Sequence, residues 1–96
     1  MASLPEYRAQ IDALDAQIIC AVADRLAICR DVAVFKKANG MSMMQPDRVE
    51  AVKERAATAA VAAGLSRAFA LELYTLIIGE ACRIEDDLMQ SGTPGA

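Results

Sequence analysis

From Pro5 to Asn39 the chain reads PEYRAQIDALDAQIICAVADRLAICRDVAVFKKAN. Ile11, Leu14, Ile18, Val22, Cys29, Val32 and Phe35 keep a helical period along this run. Pro5 suits the first turn, where a missing N–H costs nothing, and Asn39-Gly40 supplies a C-terminal stop. At 1.5 Å per residue such a helix is roughly 50 Å long. That is too long for a lone globule of 96 residues, so the sequence predicts a partner along the helix's exposed half.

Downstream, Met41 to Gln45 reads as a loop. Gln45-Pro46-Asp47 opens a second helix running to about Ala63, and Gly64 stops it. Ser66 is an N-cap for a third helix from Arg67 to Met89, with Phe69, Leu73, Tyr74, Ile77, Ile78, Ala81, Ile84 and Leu88 as its apolar stripe. Residues 91–96, Ser-Gly-Thr-Pro-Gly-Ala, are expected to form a disordered tail. The expectation is one all-α domain over residues 1–90, without repeat or linker.

Composition agrees with helices. Hydrophobic residues make up 55%, yet the aromatics are two Phe, two Tyr and no Trp. Ala, Leu, Ile, Val and Met supply the rest. A core rich in alanine is thin, and a small chain with such a core often finishes burying its surface against a second copy. The net charge of −3, with no long basic run, argues against a nucleic-acid partner. The absence of histidine excludes a His-based triad or a His-ligated zinc. Cys20, Cys29 and Cys82 are odd in number and lack a C-x-x-C spacing, so they read as reduced thiols of a cytoplasmic protein. No signal-peptide pattern opens the chain and no apolar run is long enough to span a membrane.

The informative residues are charges that interrupt apolar stripes. Arg25 and Lys36 are eleven residues apart, close to three turns, and share a face with Cys29, Val32 and Ala33. Two cations there are costly unless anions meet them. Their Cα atoms are roughly 16 Å apart, so a small dianion fits between the side chains. Arg8 lies roughly 25 Å away on the same helix and a quarter-turn off that face. Antiparallel pairing with a second copy brings it near. Arg48 opposes the dipole of the second helix's first turn and needs another reason to be there. Glu85 lies on the stripe of Tyr74, Ile78, Ala81 and Leu88, and a carboxyl among apolar groups tends to keep its proton.

Each residue alone has a plainer reading. Arg25 can pair with Asp12 or Asp15 of a partner helix, and Lys36 can reach solvent at the helix end. Arg8 and Arg48 can be solvated surface charges. Glu85 can belong to an acidic helix end with Asp86 and Asp87, and the cysteines and Met41, Met43 and Met44 can be packing residues. The set, with its spacing, carries the argument.

The set resembles the all-helical chorismate mutases of bacteria over nearly the whole chain, Pro5 to Met89. Arg-x-x-Ile-Asp-x-Leu-Asp (Arg8 to Asp15), Arg25, Val-x-x-x-Lys-Lys (Val32 to Lys37), Pro-Asp-Arg-Val (Pro46 to Val49) and Leu-x-x-x-Ile-Ile (Leu73 to Ile78) stand where that family has them. The resemblance implies an intertwined homodimer of three-helix chains with antiparallel first helices. It also implies a pocket for a dianionic chorismate-type substrate. Arg8 would reach into the partner's pocket, Arg25 and Lys36 would hold the substrate carboxylates, and Arg48 would complete the cationic wall. Lys36 and a protonated Glu85 would donate to the ether oxygen. Glu85 stands where many members have glutamine.

The implied reaction is a [3,3] rearrangement that breaks a C–O bond as a C–C bond forms, with no cofactor or metal. The family's acidic readers of the C4 hydroxyl correspond to Gln45 and Val49 here, and a common serine to Ala81. Met43 to Val49 and Cys82 to Asp86 resemble a subgroup that rearranges 4-amino-4-deoxychorismate, a step toward 4-aminophenylalanine in actinomycete antibiotic pathways. Two other expectations stay open at this point: an isochorismate pyruvate lyase on the same fold, and a non-catalytic helical dimer or regulatory module.

Overall fold

The computed structural model describes residues 1–42 and 45–91. The expectations for Met43, Met44 and residues 92–96 fall outside them. Three α-helices follow one another: α1 (Leu4–Ala38), α2 (Pro46–Ala62) and α3 (Arg67–Ser91). Their ends lie within two residues of the positions expected from sequence, α3 continuing through Ser91 where a tail was expected to begin.

Local chemistry sets those ends. The Ser3 Oγ accepts the Glu6 N–H at 3.3 Å and donates to the Glu6 carboxylate at 3.0 Å, closing the first turn of α1. At the other end the Met41 N–H donates to the Lys36 carbonyl at 2.8 Å and the Gly40 N–H to the Lys37 carbonyl at 3.4 Å, with Gly40 at φ +64°. That is a Schellman stop, which needs a left-handed residue. α2 ends the same way: the Leu65 N–H meets the Ala60 carbonyl at 2.8 Å, the Gly64 N–H meets Val61 at 3.0 Å, and Gly64 has φ +87°. Ser66 caps α3 by accepting the Phe69 N–H at 3.1 Å.

α3 packs against both α1 and α2 and joins them. Arg67 and Glu54, 2.7 Å apart, clasp the start of α3 to α2, and the guanidinium holds the Glu54 carboxyl below its ordinary range. Lys37 donates to the Leu88 carbonyl at 3.4 Å, tying the end of α1 to α3. Among the described residues, the buried hydrophobic ones are Ala33, Ala57, Ala60, Ala70, Ala81 and Ile84. Small side chains let the helices approach closely but enclose little apolar volume.

The stripe read from α1 divides. Val22 and Cys29 are half-buried, whereas Ile11, Leu14, Ile18, Val32 and Phe35 are exposed. The exposed side carries a longer pattern. Leu4, Tyr7, Ile11, Leu14, Ile18, Ala21, Arg25, Ile28, Val32 and Phe35 alternate three and four residues apart, the seam of a coiled coil. Ile18 is 58% exposed and Ile28 62%. The chain is 61 Å long with a radius of gyration of 17.2 Å, against about 12–13 Å for a compact domain of this length. Its surface of 7051 Å² is about a third larger than the roughly 5,300 Å² of a folded monomer of this mass. Among the described residues no helix is long and apolar enough to cross a membrane.

Candidate active site

α1 and α2 both pack on α3, and α2 descends from the level of Lys36 to that of Arg25. Between the three helices lies a recess of about 100 Å³. Arg25 and Lys36 enter it from α1, Gln45 and Val49 from the start of α2, and Ala81 and Glu85 from α3. Cys29, Val52, Ile78 and Cys82 fill the wall between them. An adjoining space of about 310 Å³ shares Arg25, Lys36 and Glu85 and adds Arg48. Seven of the eight residues singled out in the sequence therefore face one region.

Arg8 is the exception. It is exposed and lies on the far half of α1, roughly 25 Å along the helix from Arg25. None of the spaces described here includes it.

The stops and caps place these groups. Lys36 supplies the carbonyl that closes the Schellman stop, so its backbone is fixed at the last turn of α1. Gln45 precedes Pro46 at the start of α2, and its side-chain amide donates to the Ser42 carbonyl at 3.3 Å. Arg25 is half-buried; its guanidinium lies 5.8 Å from the centroid of the Tyr74 ring and 3.7 Å from the Cys29 sulfur. The acidic end of α3 divides in two. Asp87 pairs with Arg83 at 2.9 Å in solvent, as Glu80 does at 2.7 Å, whereas Glu85 turns into the recess.

Electrostatics link the recess members. Burial pushes the Cys82 thiol up, the charges of Glu85 and Asp86 add to that, and Lys36 works against it. A cationic rim over an apolar floor, with one carboxyl at its side, suits a compact dianion with an apolar body.

Sequence reasoning placed Cys29 and Cys82 as packing residues and Tyr74 on a stripe, and all three touch this region. Spacing held the signal: Cys29 is one turn from Arg25, and Tyr74 one turn from Ile78. Arg55, which borders a neighbouring groove with Arg25 and Arg48, was not singled out.

Residues 7–86 match the family described as chorismate mutase type II. A 4-amino-4-deoxychorismate mutase of Streptomyces venezuelae is 43% identical over 86 residues, covering 90% of this chain and 84% of that protein. A 4-amino-4-deoxychorismate mutase of Streptomyces pristinaespiralis is 42% identical over 89 residues, 93% of this chain and 69% of that protein. No solved structure matches the chain. A family match over most of the chain, joined to the two relatives, makes this protein a member of the chorismate mutase type II family and an isomerase of the chorismate mutase type.

Proposed function

We propose that this protein is a homodimeric mutase that rearranges 4-amino-4-deoxychorismate, chorismate or both to the corresponding prephenate. The observation that carries the reading is one region lined by Arg25, Lys36, Arg48 and Glu85 together with Gln45, Val49 and Ala81. The names of the two Streptomyces relatives favour the amino substrate. An acidic residue suits a C4 hydroxyl donor, and this recess has an amide, a valine and an alanine instead.

The rearrangement transfers no group to the protein. The enzyme holds the enolpyruvyl ether in a compact conformer whose reacting carbons face each other. It also stabilises the negative charge that grows on the ether oxygen as the C–O bond breaks. Arg25 and Arg48 bind carboxylates. Lys36 binds a carboxylate and donates to the ether oxygen, and Glu85 in its protonated form is a second donor.

The dimer reading draws on the exposed seam of α1, the surplus surface and the distance of Arg8 from the recess. Antiparallel α1 helices place Arg8 of each chain in the other's site. The three free thiols agree with a cytoplasmic setting.

The test is a side-by-side turnover assay with chorismate, 4-amino-4-deoxychorismate and isochorismate, products identified by mass and pyruvate measured separately. Rearranged amino product without pyruvate is expected. Pyruvate from isochorismate alone would move the protein to a lyase activity, and turnover of chorismate alone would reject the amino preference.

A further inference from the structure

Beside the recess, Arg25, Arg48 and Arg55 converge with Tyr74 on a groove of about 320 Å³, and no carboxylate lines it. The proposed substrate accounts for Arg25 and Arg48. Arg55, which nothing in the reaction uses, is left facing a cationic groove without an anion.

The seam of α1 says where an anion can come from. In the C-terminal half of α1, the residues that follow seam positions are Val22, Leu26, Cys29, Ala33 and Lys36, and all five are buried or half-buried, Arg25 being the one seam position that is half-buried with them. A twofold axis that pairs α1 antiparallel with its copy keeps this flank on the same side of the pair for both helices. The equivalent flank of the N-terminal half carries Arg8, Asp12 and Asp15. Those side chains therefore face the other chain's α2 and α3.

The register follows from the shared Arg8, so this step rests on the dimer reading above. Opposing the partner's Tyr7 to Arg25 opposes Ile11 to Ala21 and Leu14 to Ile18, seam position on seam position throughout, and leaves the partner's Arg8 within one residue of the level of Arg25. The partner's Asp12 then lies opposite Cys20, between one and two turns beyond Arg25, in the direction in which α2 runs from Arg48 to Arg55. The charges match: from Leu4 to Ile19 α1 has Glu6, Asp12 and Asp15 against Arg8 alone, and the groove has three guanidinium groups.

In the dimer proposed above this groove seats the N-terminal half of a second copy's α1, and we infer that the partner's Asp12 is the counter-charge of Arg55 there. The pair fixes the register that delivers Arg8, and it occupies the one guanidinium that would otherwise compete for a substrate carboxylate.

Charge reversal on the full-length chain tests this, with sedimentation reading the dimer and circular dichroism checking helicity. Asp12→Arg and Arg55→Asp are each expected to weaken the dimer by at least about tenfold, and the double variant to return within about threefold of the parent. If a reversal costs helicity, Asp12→Asn and Arg55→Gln form the same cycle, and strictly additive losses would overturn the pairing. A dimeric parent whose double variant is no better than its worse single variant sinks the Asp12–Arg55 contact and leaves the dimer standing. A monomeric parent sinks the dimer as well.

Discussion

Arg25 is held from two directions, by the face of Tyr74 and by the Cys29 sulfur, before any substrate arrives. A ring under a guanidinium orients it without neutralising it, so the charge stays available for a carboxylate. Tyr74→Leu is expected to raise KM about three- to tenfold with a smaller change in kcat, and Tyr74→Phe to stay within about twofold of the parent. Equal losses in both variants would show that the hydroxyl rather than the ring face matters. Glu85 faces the same recess and its charge decides its use. As a carboxylate it repels the charge growing on the ether oxygen; as an acid or an amide it donates. Glu85→Gln, which keeps the shape and donates through its amide, should therefore retain kcat within about threefold, and Glu85→Ala should lower it at least about tenfold. A Glu85→Ala enzyme with the parental kcat would remove Glu85 from the ether oxygen. Cys82 reports on the same surroundings. Burial, with the Glu85 and Asp86 charges, raises its thiol and so lowers its thiolate fraction at a given pH. Alkylation at about pH 8 should reach exposed Cys20 well before Cys82, as peptide mapping would show. Equal rates would mean that Cys82 is open to solvent.

At the scale of elements, the ends of helices matter more than their middles. Gly40 adopts φ +64° to finish α1, and a Cβ there meets no atom within 4 Å. The cost of Gly40→Ala is therefore conformational, about 1 kcal/mol of stability. Because the stop also holds the Lys36 carbonyl, kcat/KM should fall too. Gly79 gives the opposite control. It sits inside α3 without a positive φ and with open space at its Cβ, so Gly79→Ala should stabilise by about 1 kcal/mol in thermal or urea unfolding. A Gly40→Ala protein as stable as its parent would show that the stop is dispensable. These ends were legible in the sequence because Asn39-Gly40, Pro46, Gly64 and Ser66 punctuate it. The cap at Ser3, within Ser-x-x-Glu, was not read from the sequence, which placed the start of α1 at Pro5. What periodicity did not reveal was which side of α1 meets α3. A 3.6-residue period gives angles about an axis but not the identity of the neighbour, so Val22 and Cys29 were grouped with residues that lie exposed. Tyr74 beneath Arg25 was hidden for the same reason: the contact joins residues 49 positions apart on different helices.

For the whole molecule, the decisive fact is that one chain encloses so little. Among the described residues its core is five alanines and an isoleucine, while most seam positions of α1 lie exposed. A site completed by two chains has a direct test. Arg8→Ala and Lys36→Ala proteins, each with little activity, should regain up to roughly half a site per dimer when unfolded together and refolded, since one mixed pocket then has both groups. No recovery, with mixed dimers present by mass, would place Arg8 outside the site. The sequence allowed the cationic set to be named because cations on an apolar stripe are conspicuous wherever the chain folds. It could not show Arg55 as part of a groove, because Arg55 becomes informative only when Arg25 and Arg48 are seen beside it.

The order in which the helices are made gives the seam one further consequence. α1 leaves the ribosome first, its apolar line already continuous, and α3, which shields its other flank, leaves last. In the proposed dimer, chains growing side by side on one messenger would thus present matching faces before either has a core of its own. Pairing during translation would then precede the completion of either fold, and the local density of ribosomes, rather than the bulk concentration of protein, would set how efficiently the enzyme assembles.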